Sequence, residues 1–176
     1  MNQRNLIVYI SASLDGFISK PNDDLSFLNA VQVEGEDYGY EAFIDSVDTV
    51  IIGKRTYDWV MNEVDEYPHK EKDTYVITRT TRPAEGKTQF YSGDLNLLVK
   101  ELKSKPGKNI FCDGGSQIVN ELLKIGAVDE LIVSIIPVIL GAGTPLFSEG
   151  IPEKKLQLIS SKNFESGLLQ AHYKFH

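Results

Sequence analysis

Three junctions in this sequence bring together residues suited to holding an anion. Gly114-Gly115-Ser116-Gln117 follows the apolar run Asn109 to Asp113 and precedes a segment with apolar residues at Ile118, Val119, Leu122, Leu123 and Ile125. Strand, glycine turn and helix in that order leave unpaired amides and the positive end of the helix dipole facing the turn. Two residues without a Cβ let a ligand approach the backbone. The chemistry is the binding of a phosphate or pyrophosphate; the competing reading is a tight strand-to-helix turn. A second junction, Gly53-Lys54-Arg55-Thr56, adds two cations and a hydroxyl at a helix start. Thr78-Arg79 ends a third run with another cation. Ligands of open α/β sheets bind beyond the carboxyl ends of the strands, so the three junctions are expected to line one cleft that takes a dinucleotide. Taken singly, Lys54, Arg55 and Arg79 also read as solvated surface charge.

The elements that must position these junctions follow from periodicity. Leu6 to Ser11, Thr49 to Ile52, Thr74 to Thr78 and Asn109 to Asp113 read as strands, the first apolar almost throughout. Gln89 to Tyr91 is a shorter one. Helical spacing marks Tyr57 to Met61, Asp94 to Lys103 with an aspartate cap, and Ser116 to Ile125. Asn22-Asp23-Asp24 caps a short helix carrying Leu25, Phe27, Leu28 and Val31, and Tyr40 to Ser46 is another. Val128 to Ile139 is a long strand ending at Gly141-Ala142-Gly143, which leads into a loop. Lys155 to Ser160 and Leu168 to Phe175 are expected to pair antiparallel around Ser166-Gly167. The order predicts one α/β domain over residues 1–176: a mostly parallel sheet with an antiparallel carboxyl-terminal edge.

Composition narrows the partners. The formal net charge is −7 over 176 residues, which argues against a nucleic-acid or anionic-membrane surface. No run approaches a membrane span, and the amino terminus lacks a signal-peptide pattern, so the expected location is the cytoplasm. The single cysteine, Cys112, excludes an internal disulfide and reads as a buried thiol. His69, His172 and His176 lack ligand-type spacing, and no metal is expected.

Neither a Rossmann fingerprint nor a P-loop is present. The ordered set Ser13-Leu14-Asp15-Gly16, Val50 to Tyr57, Val76 to Arg79, Asp113-Gly114-Gly115, Val128 to Leu131 and Pro137 to Gly143 with Leu146-Phe147 instead resembles the dihydrofolate reductase-like superfamily. It is most similar to the branch containing the reductase domain of riboflavin biosynthesis. The resemblance covers nearly the whole chain and implies a central eight-stranded sheet with helices on both faces. It implies NADPH as hydride donor and a pyrimidine- or pterin-like substrate, as in 5-amino-6-(5-phosphoribosylamino)uracil reductase. The alternatives are dihydrofolate reductase activity and a non-catalytic NADPH-binding or regulatory module. By similarity, Gly53, Lys54, Arg55 and Thr56 hold cofactor phosphates. Thr78 and Arg79 lie beside the adenosine ribose, with Arg79 or Arg55 on the 2′-phosphate. Gly114, Gly115, Ser116 and Gln117 cradle the pyrophosphate, and backbone around Ser11 and Ala12 meets the nicotinamide. Asp15 and Asp24 are the catalytic acids the resemblance points to; as plain sequence they also read as a turn residue and a helix cap. Lys20 and the amides of Gly141 to Thr144 are the expected site for a substrate phosphate. Relatives of this kind are often homodimers, and apolar residues on the late strands offer the interface.

The chain departs from these relatives where it has Ser26-Phe27 in place of an acid followed by tryptophan. It also lacks the tryptophan after the first strand and the proline-tryptophan loop of true dihydrofolate reductases. Folate is therefore the less expected substrate.

Overall fold

The computed structural model describes residues 4–176. Strand β1 (Leu6–Ser13) is largely buried, as an apolar run without polar alternation requires. Short β2 (Phe17–Ser19) and two 3₁₀ segments, Pro21–Asp23 and Ser26–Val31, lead to α1 (Tyr40–Asp45). Then come β3 (Val47–Gly53), α2 (Lys54–Glu63), β4 (Asp73–Ile77), β5 (Thr88–Tyr91) and α3 (Leu95–Ser104). The chain continues through β6 (Asn109–Gly114), α4 (Ser116–Lys124), β7 (Glu130–Ile136), β8 (Thr144–Pro145), β9 (Leu156–Asn163) and β10 (Leu169–Phe175).

Eight strands form one sheet in the order β5-β4-β3-β6-β1-β7-β10-β9. The pairs from β5 to β7 are parallel, and β7–β10 and β10–β9 are antiparallel. Strand β6 is therefore inserted between β1 and β3. Alternation along the strands separates two layers. Ile51, Ile110 and Cys112 pack with Leu98, Val99 and Leu102 of α3 and Val119, Leu122 and Leu123 of α4. On the opposite face Val50 and Phe111 meet Phe43 of α1, and Ile52 and Val76 meet Tyr57 of α2. Helices thus cover both faces. Asp94 caps α3 as predicted, accepting from the Leu97 amide at 2.9 Å. Buried Arg4 anchors the start of β1, donating to the Lys108 carbonyl at 2.7 Å and the Thr49 hydroxyl at 2.7 Å and pairing with Asp48.

Three segments differ from the periodicity reading. Strand β7 stops at Ile136 rather than Ile139, because Pro137 has no N–H to continue the ladder. Residues 22–31 form 3₁₀ turns rather than a capped α-helix. Asn22 and Asp23 take left-handed backbone conformations there, at φ 64° and 59°. The segment after Gly143 is not wholly loop: Thr144–Pro145 pairs with β2 in a second, two-stranded sheet. Gly143 is required for that pairing, since a Cβ on it would fall 1.9 Å from the Ser19 carbonyl oxygen.

Candidate functional site

The carboxyl ends of β1, β3, β4 and β6 open into one cleft of about 1390 Å³. Ser11, Gly53, Lys54, Arg55, Thr56, Thr78, Arg79, Gly115, Ser116 and Gln117 all line it, so the three junctions converge. Ala12 points into the core, and Gly114 lies behind the wall, joined to Gly115 by a cis peptide. Helices α2 and α4 both start at this cleft. Their N-cap residues are Gly53 and Gly115, and neither supplies a side-chain cap. The first amides of each helix are left for a ligand. The two starts approach closely: a Cβ on Gly53 would lie 3.0 Å from Ile118 Cγ1, and one on Gly115 would lie 2.8 Å from Thr56 Oγ1.

The cations differ in what already engages them. Lys54 pairs with Asp58. Arg55 gives Nε and Nη2 to one oxygen of Asp23, at 3.0 and 2.6 Å. Arg79 is exposed and, among the described residues, makes no ion pair. Its donor fork therefore faces the cleft unoccupied, where that of Arg55 does not. The Ser116 hydroxyl is also committed, donating to the Pro145 carbonyl at 2.6 Å while Asn120 Nδ2 donates to its oxygen at 3.0 Å. Ser116 thus offers its amide rather than its hydroxyl. Buried Asn120 further donates to the Leu146 carbonyl at 2.9 Å and accepts from the Ser148 amide at 2.8 Å, tying α4 to the chain after β8.

Asp15 and Asp24 do not line the cleft. Asp15 accepts from the Ser13 hydroxyl at 2.6 Å, the Leu140 amide at 3.0 Å and the Gly141 amide at 2.7 Å. The Ser13 hydroxyl and then these amides hold its carboxyl down to about 2. Asp24 accepts from the Ser26 amide at 2.7 Å, which keeps its pKa below the usual carboxylate range. Both are ionised acceptors that fix loops. Asp129, like them, is a fixed acceptor, bonded by the Leu6 amide at 2.6 Å.

Four acids line the cleft: Asp23, Asp58 and Glu121 are paired with Arg55, Lys54 and Lys124, whereas Asp113, the last side chain of β6 before the two glycines, has no ion pair among the described residues. It is half-buried, and no described residue donates a hydrogen bond to its carboxylate. Desolvation raises its pKa to about 7. The signal in the sequence is a single ionisable residue inside an otherwise apolar strand; the motif reading absorbs it into the glycine turn and assigns it no chemistry. On the same face lie Tyr40 and Tyr67, whose hydroxyls are shifted upward chiefly by burial and further by the Asp113 charge. His69 stands edge-on to Tyr67 and Phe111, and burial lowers its pKa to about 4. Buried Cys112 faces the other way, its thiol pushed up to about 12. Among the described residues no His, Cys, Asp and Glu cluster is arranged to hold a metal, and no helix is long and apolar enough to cross a membrane.

A smaller pocket of about 310 Å³ adjoins the cleft and shares Tyr9, Ser11 and Leu28 with it. Gln170 Nε2 organises its wall, donating to Tyr9 Oη at 2.9 Å and Ser134 Oγ at 3.1 Å.

The strand order and the cleft at the parallel strand ends define a dihydrofolate reductase-like α/β protein. The structure superposes on the dihydrofolate reductase of Enterococcus faecalis, solved with NADP(H), with a TM-score of 0.65 at 18% identity, covering 98% of that chain and 99% of this one. More particularly, residues 4–170 match the RibD C-terminal domain, and the chain belongs to that family of reductases. It is 37% identical over 172 residues to YwjB of Bacillus subtilis (strain 168), an uncharacterized protein, covering 97% of this chain and 98% of the relative. A candidate riboflavin biosynthesis protein of Shewanella sp. PV-4 has a TM-score of 0.89 at 29% identity, covering 98% of this chain and 99% of that one. The family and fold read from the ordered motifs are thereby established.

Proposed function

We propose that this chain is an NADPH-dependent reductase acting on a pyrimidine- or pterin-like heterocycle, at a CH–NH, carbonyl or imine group. The observation that carries the reading is the placement of an unpartnered acid, Asp113, in the same cleft as two glycine-capped helix starts and an unpaired arginine. The cleft is larger than the ~300–1,000 Å³ of ordinary small-molecule sites, as a dinucleotide with a substrate requires. When bound, the cofactor supplies the hydride.

The chain's own residues do the rest. The amides of residues 54–56 and 116–117 hold phosphate oxygens, and Arg79 takes a 2′-phosphate. Asp113 holds a proton near neutral pH and delivers it to the heteroatom of the reduced bond. The pKa of Asp113 lies close to working pH, where an acid catalyst is most effective. Asp15 and Asp24, the acids to which the resemblance points, fit a positioning role better, since their carboxylates already serve backbone amides. The test is NADPH oxidation by purified protein over a panel of pyrimidines and pterins. Substrate-dependent oxidation is expected, and its absence across the panel together with absence of NADPH binding would sink the reading.

We also propose a homodimer built on the β9 edge. All eight residues of β9 are exposed, with Leu158 at 52% and Ile159 at 48%, and one edge of the strand is unpaired. The register slips between His172 and Tyr173, leaving Ile159 without a partner on β10. Such an edge is normally covered. Sedimentation is expected to show a dimer that Leu158→Asp converts to monomer; a parent sedimenting as a monomer refutes the assignment.

A further inference from the structure

We propose that the heterocycle this enzyme reduces carries no phosphate or carboxylate: the side pocket selects an uncharged or cationic ligand. The inference rests on the reductase reading and names the substrate class of the same site. Two separate features support it.

The first is the charge distribution. The main cleft is of mixed charge: Lys54, Arg55, Arg79 and Lys124 stand beside Asp23, Asp58, Asp113 and Glu121, and Arg79 is the cation there without an ion pair among the described residues. The adjoining pocket at Tyr9 and Ser11 differs in carrying acids without cations in its lining. Its ionised groups are Glu36 and Asp37, and among the described residues no lysine, arginine or histidine lines it. Both carboxylates are held in place by backbone. Glu36 accepts from the Tyr38 amide at 2.7 Å. Asp37 accepts from the Gly39 and Glu41 amides, each at 2.8 Å. The Asp37 charge reaches Tyr9 in the pocket wall, where it adds to the upward shift that burial gives the phenol. The remaining polar side chains of the wall are neutral, the hydroxyls of tyrosines and serines and the carboxamide of Gln32, suited to ring nitrogens, amino groups and hydroxyls of a ligand.

The second feature is that part of the expected substrate-phosphate site is already engaged. The first of its amides, that of Gly141, is taken by Asp15 at 2.7 Å, and the same carboxylate accepts from the preceding Leu140 amide at 3.0 Å. Lys20, the cation assigned to that site, donates to Ser26 Oγ at 2.7 Å and lies 3.9 Å from Asp24. A phosphate arriving there would displace one carboxylate and face a second. Anionic substituents are disfavoured in both places, the glutamate tail of a folate no less than a ribose phosphate.

The test is calorimetric titration of the full chain, free and saturated with NADP⁺, with 7,8-dihydroneopterin and with its monophosphate. The neutral pterin is expected to bind at least about tenfold more tightly than the ester. The gap should narrow in the Glu36→Gln/Asp37→Asn double variant, whose side chains keep their shape and lose their charge. Equal or tighter binding of the monophosphate overturns the proposal, and so does binding of neither pterin. NADPH binding is read in a separate titration. Its failure counts against the reductase reading, while the ratio of the two pterin affinities on the same chain still decides the charge selection.

Discussion

Asp113→Asn is expected to lower turnover by about 10²–10⁴-fold, the range for a general acid, while NADPH binding persists. The parent should show kcat/KM falling as pH rises through about 7, since Asp113 is proton-bearing below that value and ionised above it. The variant should lose this limb of the profile. The same substitution should stabilise the fold. Burial raises the folded-state pKa of Asp113 above its unfolded value, so the folded chain binds the extra proton between about 4 and 7. Stability is full below the unfolded pKa and is lost as pH rises through the folded one. An uncharged amide removes that loss, and a gain of about 1–3 kcal/mol at pH 8 is expected from denaturant unfolding. Asp15→Asn and Asp24→Asn should cost far less turnover. Full activity in Asp113→Asn, or a larger loss in Asp15→Asn, would move the proton donor elsewhere.

Arg79→Ala should weaken NADPH binding by about 10–150-fold, the equivalent of one charged hydrogen-bonded contact of about 1.5–3 kcal/mol. NADH, which lacks the 2′-phosphate, should bind parent and variant alike. Arg55→Ala should act differently. Its guanidinium is engaged by Asp23, so its removal frees the Pro21–Asp23 turn without deleting an available phosphate donor. The comparison is calorimetric, with both cofactors on parent and both variants. A large NADPH-specific loss in Arg55→Ala with none in Arg79→Ala would reverse the assignment.

Much of this architecture is legible from sequence because its strands are buried on both faces. Runs such as LIVYI and TVII have no competing reading as amphipathic helix, and glycines mark where they end. The convergence of Gly53, Arg79 and Gly115 is also readable, because parallel strands bring their carboxyl ends to one side. The state of each cation is not. Whether Arg55 or Arg79 is free depends on Asp23, which lies 32 residues before Arg55 in sequence and is aimed by a left-handed turn. The acids are hard to place for a related reason. A carboxylate beside glycine looks the same whether it faces a ligand or three protein donors, and only tertiary contacts with Leu140 and Gly141 separate the two for Asp15. Asp113 shows the converse: its raised pKa comes from burial without a donor among the described residues.

The insertion of β6 between β1 and β3 also sets the order in which a ribosome can deliver this fold. Strand β1 is made first, yet its two neighbours, β6 and β7, begin about a hundred residues later. Until β6 and β7 have emerged, Leu6 to Ser13 has neither edge covered. The nascent chain can assemble β3, β4 and β5 with α2, but its central strand must wait. Closing so long a loop slows folding and leaves an apolar strand open to wrong partners meanwhile. Expression yield of this protein should therefore respond to chaperone supply and to translation speed across residues 14–108 more than to substitutions that change the stability of the finished sheet.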